Sequence, residues 1–578
     1  MRLIAVIFLF SFLAQANADI APKKDWDFKN FASIPVLSGG RLKPFDSLAR
    51  ETVLQITGKR EFQGWDPVDL MLSWITEPNE WRTKPFILIT RKDLKRQIGL
   101  PEDVSRFSPE DLMAKSFLSE YASGVYQKEQ GLSSQATPIA KTSKPDPREE
   151  ELKRVLERVS LYQAVVSGEA WPLIPTLNTN EPWQNIAIQS HQKSQDSKSL
   201  AQDLMNSPLR KAILEALASY ARGLPEQFKD NSQNLNLMIT AQMGTQWTKQ
   251  AQNKNAFEYF NNRFQPFFWA WVMYLLSALV WTAHQFSYSK VSVSGLKKTG
   301  FTLLITGFLL HIFGITLRCL IAGRPPVTNM YESIVWVSFG IVLFAWVLWW
   351  LQKNTVLFSV ASALGAIGLI VADAAPTVMD PHLHPLVPVL RSNYWLTIHV
   401  LTITISYAAF ALALGLGNVA LWKYIRGEHH HADGMKKITT LNLLNYRALQ
   451  FGVVLLAAGT ILGGVWADYS WGRFWGWDPK EVWALIALMG YLVILHARFT
   501  GWIKPFSFAA WSVICFTLVL MAWYGVNFVL GVGLHSYGFS SGGGQGFVAL
   551  SILLQWAYIA YAAIKKGATL RLDTPQAG

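Results

Sequence analysis

Nine apolar runs of membrane-spanning length fill the second half of this chain, and they constrain its fold more than any other feature. A helix needs about 20 apolar residues to cross the hydrocarbon core of a bilayer. Lipid offers no partners for backbone polar groups, so such runs must be helical. The sequence therefore predicts nine transmembrane helices, at about 267–286, 299–320, 331–351, 356–374, 395–422, 448–468, 480–497, 506–530 and 546–564.

The first half of the chain is polar and mixed in composition. Glu149 to Val166 and Ser199 to Arg222 show helical periodicity with charged faces, whereas the Ser-, Lys- and Pro-rich stretch 129–147 predicts a flexible loop. The predicted fold is an all-α polytopic membrane protein preceded by a mostly α-helical soluble extracytoplasmic domain. We divide the chain into a signal peptide (1–18), a periplasmic domain (19–262), a transmembrane domain (263–566) and a cytoplasmic tail (567–578).

The N-terminus has the features of a secretory signal. Arg2 supplies the positive charge, Ile4 to Ala14 the apolar segment, and Ala16-Asn17-Ala18 a cleavage site, although an uncleaved anchor is the alternative. With the following domain outside, the predicted cytoplasmic loops carry fourteen Lys and Arg and the short outer loops five, as the positive-inside rule requires. We therefore expect a multi-pass protein of the bacterial inner membrane with its N-terminal domain in the periplasm.

Charge and cysteine content exclude other classes. The net charge of +13 arises largely beside apolar runs, so it indicates membrane topology rather than nucleic-acid binding. The two cysteines, Cys319 and Cys515, lie far apart in apolar runs and form no Cys-x-x-Cys motif. The chain therefore has no thioredoxin-like redox motif, no zinc knuckle and no covalent c-haem site of its own.

Five tryptophans lie within eighteen residues between predicted helices six and seven. They are Trp466, Trp471, Trp475, Trp477 and Trp483. Because Gly and Pro accompany the middle three, we predict that Trp471, Trp475 and Trp477 lie on irregular backbone. A flat, electron-rich surface at a membrane face suits a large flat apolar ligand, and haem is the obvious candidate. The alternative is an interfacial aromatic belt, which would scatter Trp over many loops.

Several histidines lie at depths that suit iron ligation. His399, near the outer end of helix five, and His535, in the outer loop after helix eight, are both predicted at the level of the tryptophans. Two neutral imidazoles make a six-coordinate haem centre. His496 and His284 lie at similar depths near the inner ends of helices seven and one. An ionisable residue at membrane depth is a functional hypothesis, and a buried, hydrogen-bonded histidine is its alternative.

Four separated motifs together resemble one protein family. Trp471-Gly-Arg-Phe-Trp-Gly-Trp-Asp-Pro-Lys-Glu481 resembles the WWD signature of haem-handling proteins in cytochrome c biogenesis. The other motifs are Gly323 to Ser333, Leu386 to Val400, and a pair formed by Leu495 to Arg498 with Gly533 to Gly538. Together the four motifs resemble the CcsA (ResC) proteins of the System II pathway over about residues 266–540.

The resemblance implies the membrane subunit of a holocytochrome c synthase. Such a subunit delivers haem b to the outer face and promotes thioether attachment to apocytochromes c with a Cys-x-x-Cys-His segment. Alternatives are a haem chaperone that loads a carrier without catalysing attachment, and an unrelated transporter. Besides lipid and the apocytochrome, the implied partner is a CcsB (ResB)-like membrane subunit.

The resemblance also implies roles for individual residues. It makes His399 and His535 the outer iron ligands and His496 a ligand of a deeper site. The second deep ligand comes from the CcsB-like partner or from His284. For the propionates, Arg473 is the first choice, ahead of Lys480, Arg324 and Arg391, while Asp478 and Glu481 are expected to cap helix seven. The haem-binding set is Trp466, Trp471, Arg473, Trp475, Trp477, Asp478 and Trp483.

Overall fold

A computed structural model of the chain describes residues 20–115, 147–176, 181–187, 207–286, 290–325, 327–385, 393–531 and 544–572. The chain divides into two compact units, Met1–Phe264 (unit 1) and Gln265–Gly578 (unit 2). The predicted signal peptide, most of the predicted loop at 129–147, Arg391 and His535 lie outside the described residues.

Unit 1 is mostly helical. Its helices, in chain order, are α1 Lys29–Ala32, α2 Phe45–Thr57, α3 Pro67–Thr76, α4 Pro78–Trp81, α5 Lys92–Gln97, α6 Pro109–Met113, α7 Pro147–Ser167, α8 Pro208–Ala221, α9 Pro225–Met243 and α10 Lys249–Phe264. Two antiparallel ribbons add β1 Pro35–Ser38 with β2 Arg41–Pro44, and β3 Ile87–Leu88 with β4 Arg106–Phe107. Helix α7 confirms the first helix predicted from periodicity. Helix α8 confirms the second from Pro208 onward, and residues 199–206 of that prediction lie outside the described residues.

An aromatic core and a buried ion cluster hold unit 1 together. Trp74, Trp81 and Phe86 are fully buried and pack edge to face or stacked with one another. The carboxylate of Glu258 on α10 accepts both terminal nitrogens of Arg41 and the hydroxyl of Ser47, at 2.6 to 2.8 Å. Helix α10 is thereby fixed to β2 and α2 through a charge that is almost fully buried.

Unit 2 consists of long apolar helices. They are α11 Pro266–Phe286, α12 Lys290–Ala322, α13 Met330–Gln352, α14 Val356–Ala374, α15 Asn393–Ile425, α16 Ala432–Trp471, α17 Pro479–Phe499, α18 Pro505–Ile514, α19 Phe516–Leu520, a π-helix Met521–Leu530, and α20 Gln545–Leu572. In the described part of the chain, nine stretches are long and apolar enough to cross a membrane, which confirms the prediction.

Helix α15 lies at the centre of unit 2. Most of the length of α15 packs against α16, and α15 also contacts α13, α14, α18 and α20. Because α15 and α16 run in opposite directions, the start of α15 and the end of α16 meet at one end of the unit. That end also carries the segment Gly472–Asp478, which we call the tryptophan loop, and we refer to it as the tryptophan-loop end.

Four helices differ from the prediction. Helix two begins at Lys290 rather than near residue 299, and helix nine continues to Leu572 rather than ending near residue 564, so both include basic residues that were assigned to loops or the tail. Helix six was predicted to begin near residue 448, but α16 begins at Ala432 and includes Lys436 and Lys437, which were assigned to a loop. Helix eight was predicted as one continuous span, whereas the chain passes from α18 through α19 into ten residues of π-helix. Long π-helices are rare and frequently occur at functional sites.

Candidate functional site

The imidazole of His399 is fixed between two helices. Its Nδ1 donates a hydrogen bond of 2.8 Å to the carbonyl oxygen of Gly459 on α16. A carbonyl oxygen only accepts, so Nδ1 carries the proton in this contact. The ring also lies nearly parallel to that of Trp466, with centroids 6.1 Å apart and an 8° angle between the planes. The neighbouring helix therefore fixes the orientation of the ring and the proton on Nδ1.

Glycines on α16 permit this close approach. A Cβ added at Gly463 would lie 2.6 Å from Cε1 of His399, and one at Gly459 would lie 2.8 Å from the Cα of Ile403 on α15. Small residues let membrane helices approach closely. These two glycines are therefore part of the His399 site, although no ligand chemistry pointed to them in the sequence.

A capping box shapes the tryptophan loop. Helix α16 ends at Trp471, and Gly472 follows in the left-handed conformation. Asp478 then caps α17, while Oε2 of Glu481 accepts the backbone N–H groups of Gly476 (2.8 Å) and Asp478 (3.1 Å). The capping role predicted for Asp478 and Glu481 agrees with this geometry. Two carboxylates, that of Asp478 at the end of the loop and that of Glu481 in the first turn of α17, therefore hold the loop in place.

The five tryptophans do not form one continuous surface. The prediction that Trp471 lies on irregular backbone is wrong, because it is the last residue of α16, where it packs at an edge-to-face angle on the buried Trp466. Trp475 lies in the loop, and Trp477 does too, with φ of 56° and 72% of its surface exposed. Trp483 lies on α17. Left-handed backbone at a non-glycine residue is strained, and such strain is concentrated at functional sites.

A cleft at the tryptophan-loop end contains both His399 and part of the tryptophan set. With the part that opens to solvent, it encloses about 820 Å³ of space between atoms. Aromatic and aliphatic side chains form most of its wall. Its polar and aromatic lining residues are His399, Thr404, Tyr407, Thr460, Trp466, Trp475, Lys480, Glu481 and Trp523.

Trp523 is a wall residue that the sequence did not identify. It lies in the π-helix, its indole Nε1 donates 2.9 Å to the hydroxyl of Ser333 on α13, and its ring lies 5.7 Å from that of Tyr407. The sequence carries no signal for a π-helix within an apolar run. The hydrogen bond to Ser333 couples this wall of the cleft to the start of α13.

A buried ion cluster stabilises the start of α13. The carboxylate of Glu332 contacts Arg318 at 2.9 Å and Arg324 at 3.4 Å, and it accepts the backbone N–H of Thr328 at 2.9 Å. All three charged side chains are less than 10% exposed. Arg324, a predicted propionate partner, is therefore already engaged as a structural cation, with a further bond to the carbonyl of His384.

A second polar cluster lies in the segment between α14 and α15. Asp380 accepts hydrogen bonds from Nδ1 of His382 (2.7 Å) and Nε2 of His384 (2.6 Å). Burial raises the pKa of the Asp380 carboxyl, but these hydrogen bonds outweigh it and hold that pKa well below its ordinary value. The side-chain amide of Asn329 reaches the Asp380 carbonyl, so the segment is joined to the start of α13.

The two deeper histidines lie apart from this cleft. His496, on the last turns of α17, donates from Nδ1 to the carbonyl of Leu492 (2.7 Å) and is exposed. His284, on α11, packs against Trp281, and both of its ring nitrogens are buried without a hydrogen-bond partner among the described residues. Their helices have different neighbours, since α11 packs on α12 and α14, and α17 on α16 and the π-helix.

Arg473 does not line the cleft. Its guanidinium lies about 6.0 Å from the Trp471 ring centre and passes over Gly476. The structure thus brings together His399, Trp466 and Trp475 from the predicted set, while Trp471 packs on Trp466 and Asp478 caps α17. Trp477, Trp483 and Arg473 lie outside the lining.

Comparisons with known proteins agree with the sequence motifs. The family described as "Cytochrome C assembly protein" matches residues 327–535. The chain is 33% identical to the cytochrome c biogenesis protein CcsA of Guillardia theta over 38% of this chain and 79% of that protein. It is 34% identical to CcsA of Prochlorococcus marinus strain MIT 9301 over 43% of this chain and 87% of that protein.

A third relative covers more of the chain. The protein NrfI of Wolinella succinogenes is 29% identical over 86% of this chain, which spans 53% of NrfI. Unit 2 accounts for little more than half of the 578 residues, so this similarity extends well into unit 1. The resemblance seen in the motifs stopped at the transmembrane region, and the comparison with NrfI extends it.

Proposed function

This chain belongs to the CcsA family of cytochrome c biogenesis membrane proteins, and on that premise we propose that it holds haem b in the His399 cleft and promotes its attachment to apocytochromes c. The single observation that carries the proposal is the fixed tautomer of His399 beside a tryptophan-lined cleft. An imidazole with its Nδ1 proton bound to a carbonyl is the usual form of a metal-binding histidine.

The residues present fit haem as a substrate. The lining includes the His399 imidazole as the ligand proposed for iron, the indole side chains of Trp466, Trp475 and Trp523 beside the apolar macrocycle, and one lysine. Haem sites combine an axial nitrogen ligand with an apolar wall in this way. The second axial ligand in the proposal is His535, which lies outside the described residues.

The proposed chemistry is an addition without net oxidation. Each thiol of the Cys-x-x-Cys-His segment adds across one haem vinyl group, so that a carbon–sulfur bond forms and the thiol proton passes to the other vinyl carbon. The vinyl double bond becomes a single bond, and no other group leaves. The protein contributes position above all, because holding two reacting groups in near-attack geometry removes much of the entropic barrier.

We further propose that His496 belongs to a deeper haem site completed by a CcsB-like membrane subunit. The exposure of His496 supports this, since its face of α17 is open for another helix. Ile486, Met489 and Val493 are exposed one to three turns earlier on the same helix. His284 is the alternative second ligand, but its helix is not packed on α17.

The proposed location is the bacterial inner membrane, with unit 1 and the tryptophan loop in the periplasm. The leader-like N-terminus and the excess of Lys and Arg in the opposite loops support this orientation. In this orientation the His399 cleft opens to the compartment in which apocytochromes c receive haem.

Reconstitution in a host that lacks its own pathway tests the function. The chain is expressed with and without a CcsB-like partner beside a Cys-x-x-Cys-His apocytochrome, and covalent haem is stained on denaturing gels. A stained cytochrome is the expected result. Pigmented protein beside an unstained cytochrome would instead identify a haem chaperone, and colourless protein would point to a transporter that does not handle haem.

A further inference from the structure

We propose that Ser333 is a positioning residue of the His399 cleft, which holds the indole of Trp523 as a flat wall beside the porphyrin. This assignment rests on the proposed function, because it assumes that haem occupies the cleft. It deepens that function by naming a residue outside the cleft that controls how tightly the macrocycle is bound.

The polar edge of the Trp523 indole is satisfied outside the cleft. Trp523 and Tyr407 both line the cleft, and their ring centroids lie 5.7 Å apart with 41° between the planes. The indole Nε1 of Trp523 donates its hydrogen bond of 2.9 Å to Ser333, which is not among the described residues that line the cleft. A buried indole needs a partner for its N–H, and here a ligand does not have to supply one.

Both hydrogen-bonding functions of the Ser333 hydroxyl are in use. It donates to Met330, three residues earlier in the chain, whose carbonyl oxygen lies 2.9 Å away and whose sulfur lies 3.6 Å away. It accepts the indole N–H of Trp523, and its side chain is buried. Because the hydroxyl proton is directed to Met330, a lone pair of the same oxygen is left for Trp523.

The helix start that carries Ser333 is held by other bonds. Ser333 directly follows Glu332, the anion of the buried cluster with two arginines. The side chain of Asn329 caps the helix by accepting the backbone N–H of Glu332 at 2.8 Å. Ser333 is therefore a fixed point of attachment for the indole.

The indole itself belongs to the irregular part of its span. Trp523 lies in the π-helix Met521–Leu530, a rare form that frequently occurs at functional sites. The side-chain amide of Asn527 donates to the backbone carbonyl of Trp523 at 3.0 Å, so backbone and ring are each held by a side chain. The bond from α13 is the one that acts on the ring.

Loss of the Ser333 hydroxyl would act on the surface that a macrocycle meets. The indole N–H would lose its acceptor, and a buried donor without a partner costs roughly 5- to 150-fold in an equilibrium constant. The ring can avoid that cost only by turning its N–H edge towards another acceptor. In either case the wall at Trp523 changes, although Ser333 touches no ligand.

Two porphyrins and a pair of substitutions provide the test. Purified full-length chain is titrated with haem, followed by Soret absorption, and with iron-free protoporphyrin IX, followed by its fluorescence, which reports the wall without the iron bond. The proteins are wild type, Ser333→Ala, Trp523→Phe and the variant that carries both changes. Phenylalanine keeps an aromatic ring at position 523 but has no N–H for Ser333 to accept.

Ser512→Ala is the matched control. Ser512 on α18 is fully buried, and its hydroxyl also donates three residues back, to the carbonyl of Ala509 at 2.8 Å, and accepts Nδ2 of Asn445 from another helix at 2.8 Å. Ser512 is not among the described residues that line the cleft. Its loss should lower the melting temperature in detergent while the affinity for both porphyrins stays at the wild-type value.

We expect Ser333→Ala to weaken the binding of both porphyrins by a similar factor, about fivefold or more. Trp523→Phe should weaken both as well. In the Trp523→Phe background Ser333→Ala should cause no further loss, because the hydroxyl acts through the indole N–H and the two changes are coupled.

Four results would overturn the assignment and leave the proposed function standing. They are unchanged affinity in Ser333→Ala, an equal loss from Ser333→Ala in the Trp523→Phe background, a loss confined to haem, and a comparable loss in Ser512→Ala. The second would make Ser333 independent of Trp523, the third would place its effect on the iron ligand, and the fourth would reduce it to general stability. A wild type that binds neither porphyrin would instead refute the haem site itself, and the inference with it.

Discussion

The Nδ1 atom of His399 lies 2.8 Å from the carbonyl oxygen of Gly459, so an imidazole on α15 is oriented by the backbone of α16. This contact joins the two helices that pack most extensively in unit 2, and it fixes the orientation of the imidazole ring. Any change that separates α15 from α16 near Gly459 should therefore act on the histidine, even where it touches no ligand.

Gly463→Ala should disturb His399 directly. The added Cβ would lie 2.6 Å from Cε1 of the imidazole, so the ring or the helix must shift. Overpacking of this kind costs about 1–3 kcal/mol, which corresponds to roughly 5- to 150-fold in affinity if it falls on haem binding. Haem titration followed by Soret absorption measures it. Gly546→Ala, where a Cβ meets nothing within 4 Å, is the matched control and should bind like wild type.

Glu481→Ala should loosen the tryptophan loop. The carboxylate accepts two backbone N–H groups, and its removal leaves both without that acceptor. Loss of a capping interaction costs about 1 kcal/mol. We expect faster proteolysis at Gly472–Asp478 and a lower haem occupancy, because Trp475 loses its position. Unchanged cleavage kinetics relative to the wild type would show that the capping box does not hold the loop.

Glu332→Gln should destabilise unit 2 severely. The carboxylate is buried between Arg318 and Arg324, and removing it leaves two buried cations without their anion. Breaking such a buried cluster costs about 3–5 kcal/mol. Glu428→Gln is the control, because its pair with Lys423 is more exposed and should contribute about 0–1 kcal/mol. Thermal unfolding in detergent compares them, and equal melting temperatures would contradict this account.

Asp380 should give unit 2 an acid-sensitive stability. Its folded pKa lies below the ordinary value of 3.8, so its contribution is present above that value and is lost as the pH falls towards the folded pKa. We expect the melting temperature of the wild type to decrease below about pH 4. The decrease should be smaller in Asp380→Asn, which has no carboxylate to protonate. Parallel curves for the two proteins would exclude Asp380 as a source of the acid sensitivity.

The sequence predicted those features that depend on local chemistry. Nine helices followed from the length of the apolar runs, because a bilayer imposes a minimum span. The cap of α17 followed from Asp478, Pro479 and Glu481 at fixed offsets. His399 was placed near the tryptophans because the positive-inside rule assigned both to the same membrane face.

Features that depend on contacts between distant helices were missed. Gly459 and Gly463 matter because α15 approaches them, and nothing within α16 indicates which helix will pack there. Trp523 lines the cleft because ten residues of its helix are π-helical, and an apolar run carries no signal for that change. Trp471 was assigned to a loop from neighbouring Gly and Pro, whereas the helix continues to that residue and Gly472 ends it.

His399→Gly in the purified full-length protein, with and without added imidazole, is the most direct test of haem ligation in this cleft. The account predicts a changed and weakened Soret band in the variant, restored by imidazole that enters the space left by the side chain, while His431→Gly, at an exposed histidine, keeps the wild-type spectrum. A Soret band in His399→Gly identical to that of the wild type, and insensitive to imidazole, would contradict it.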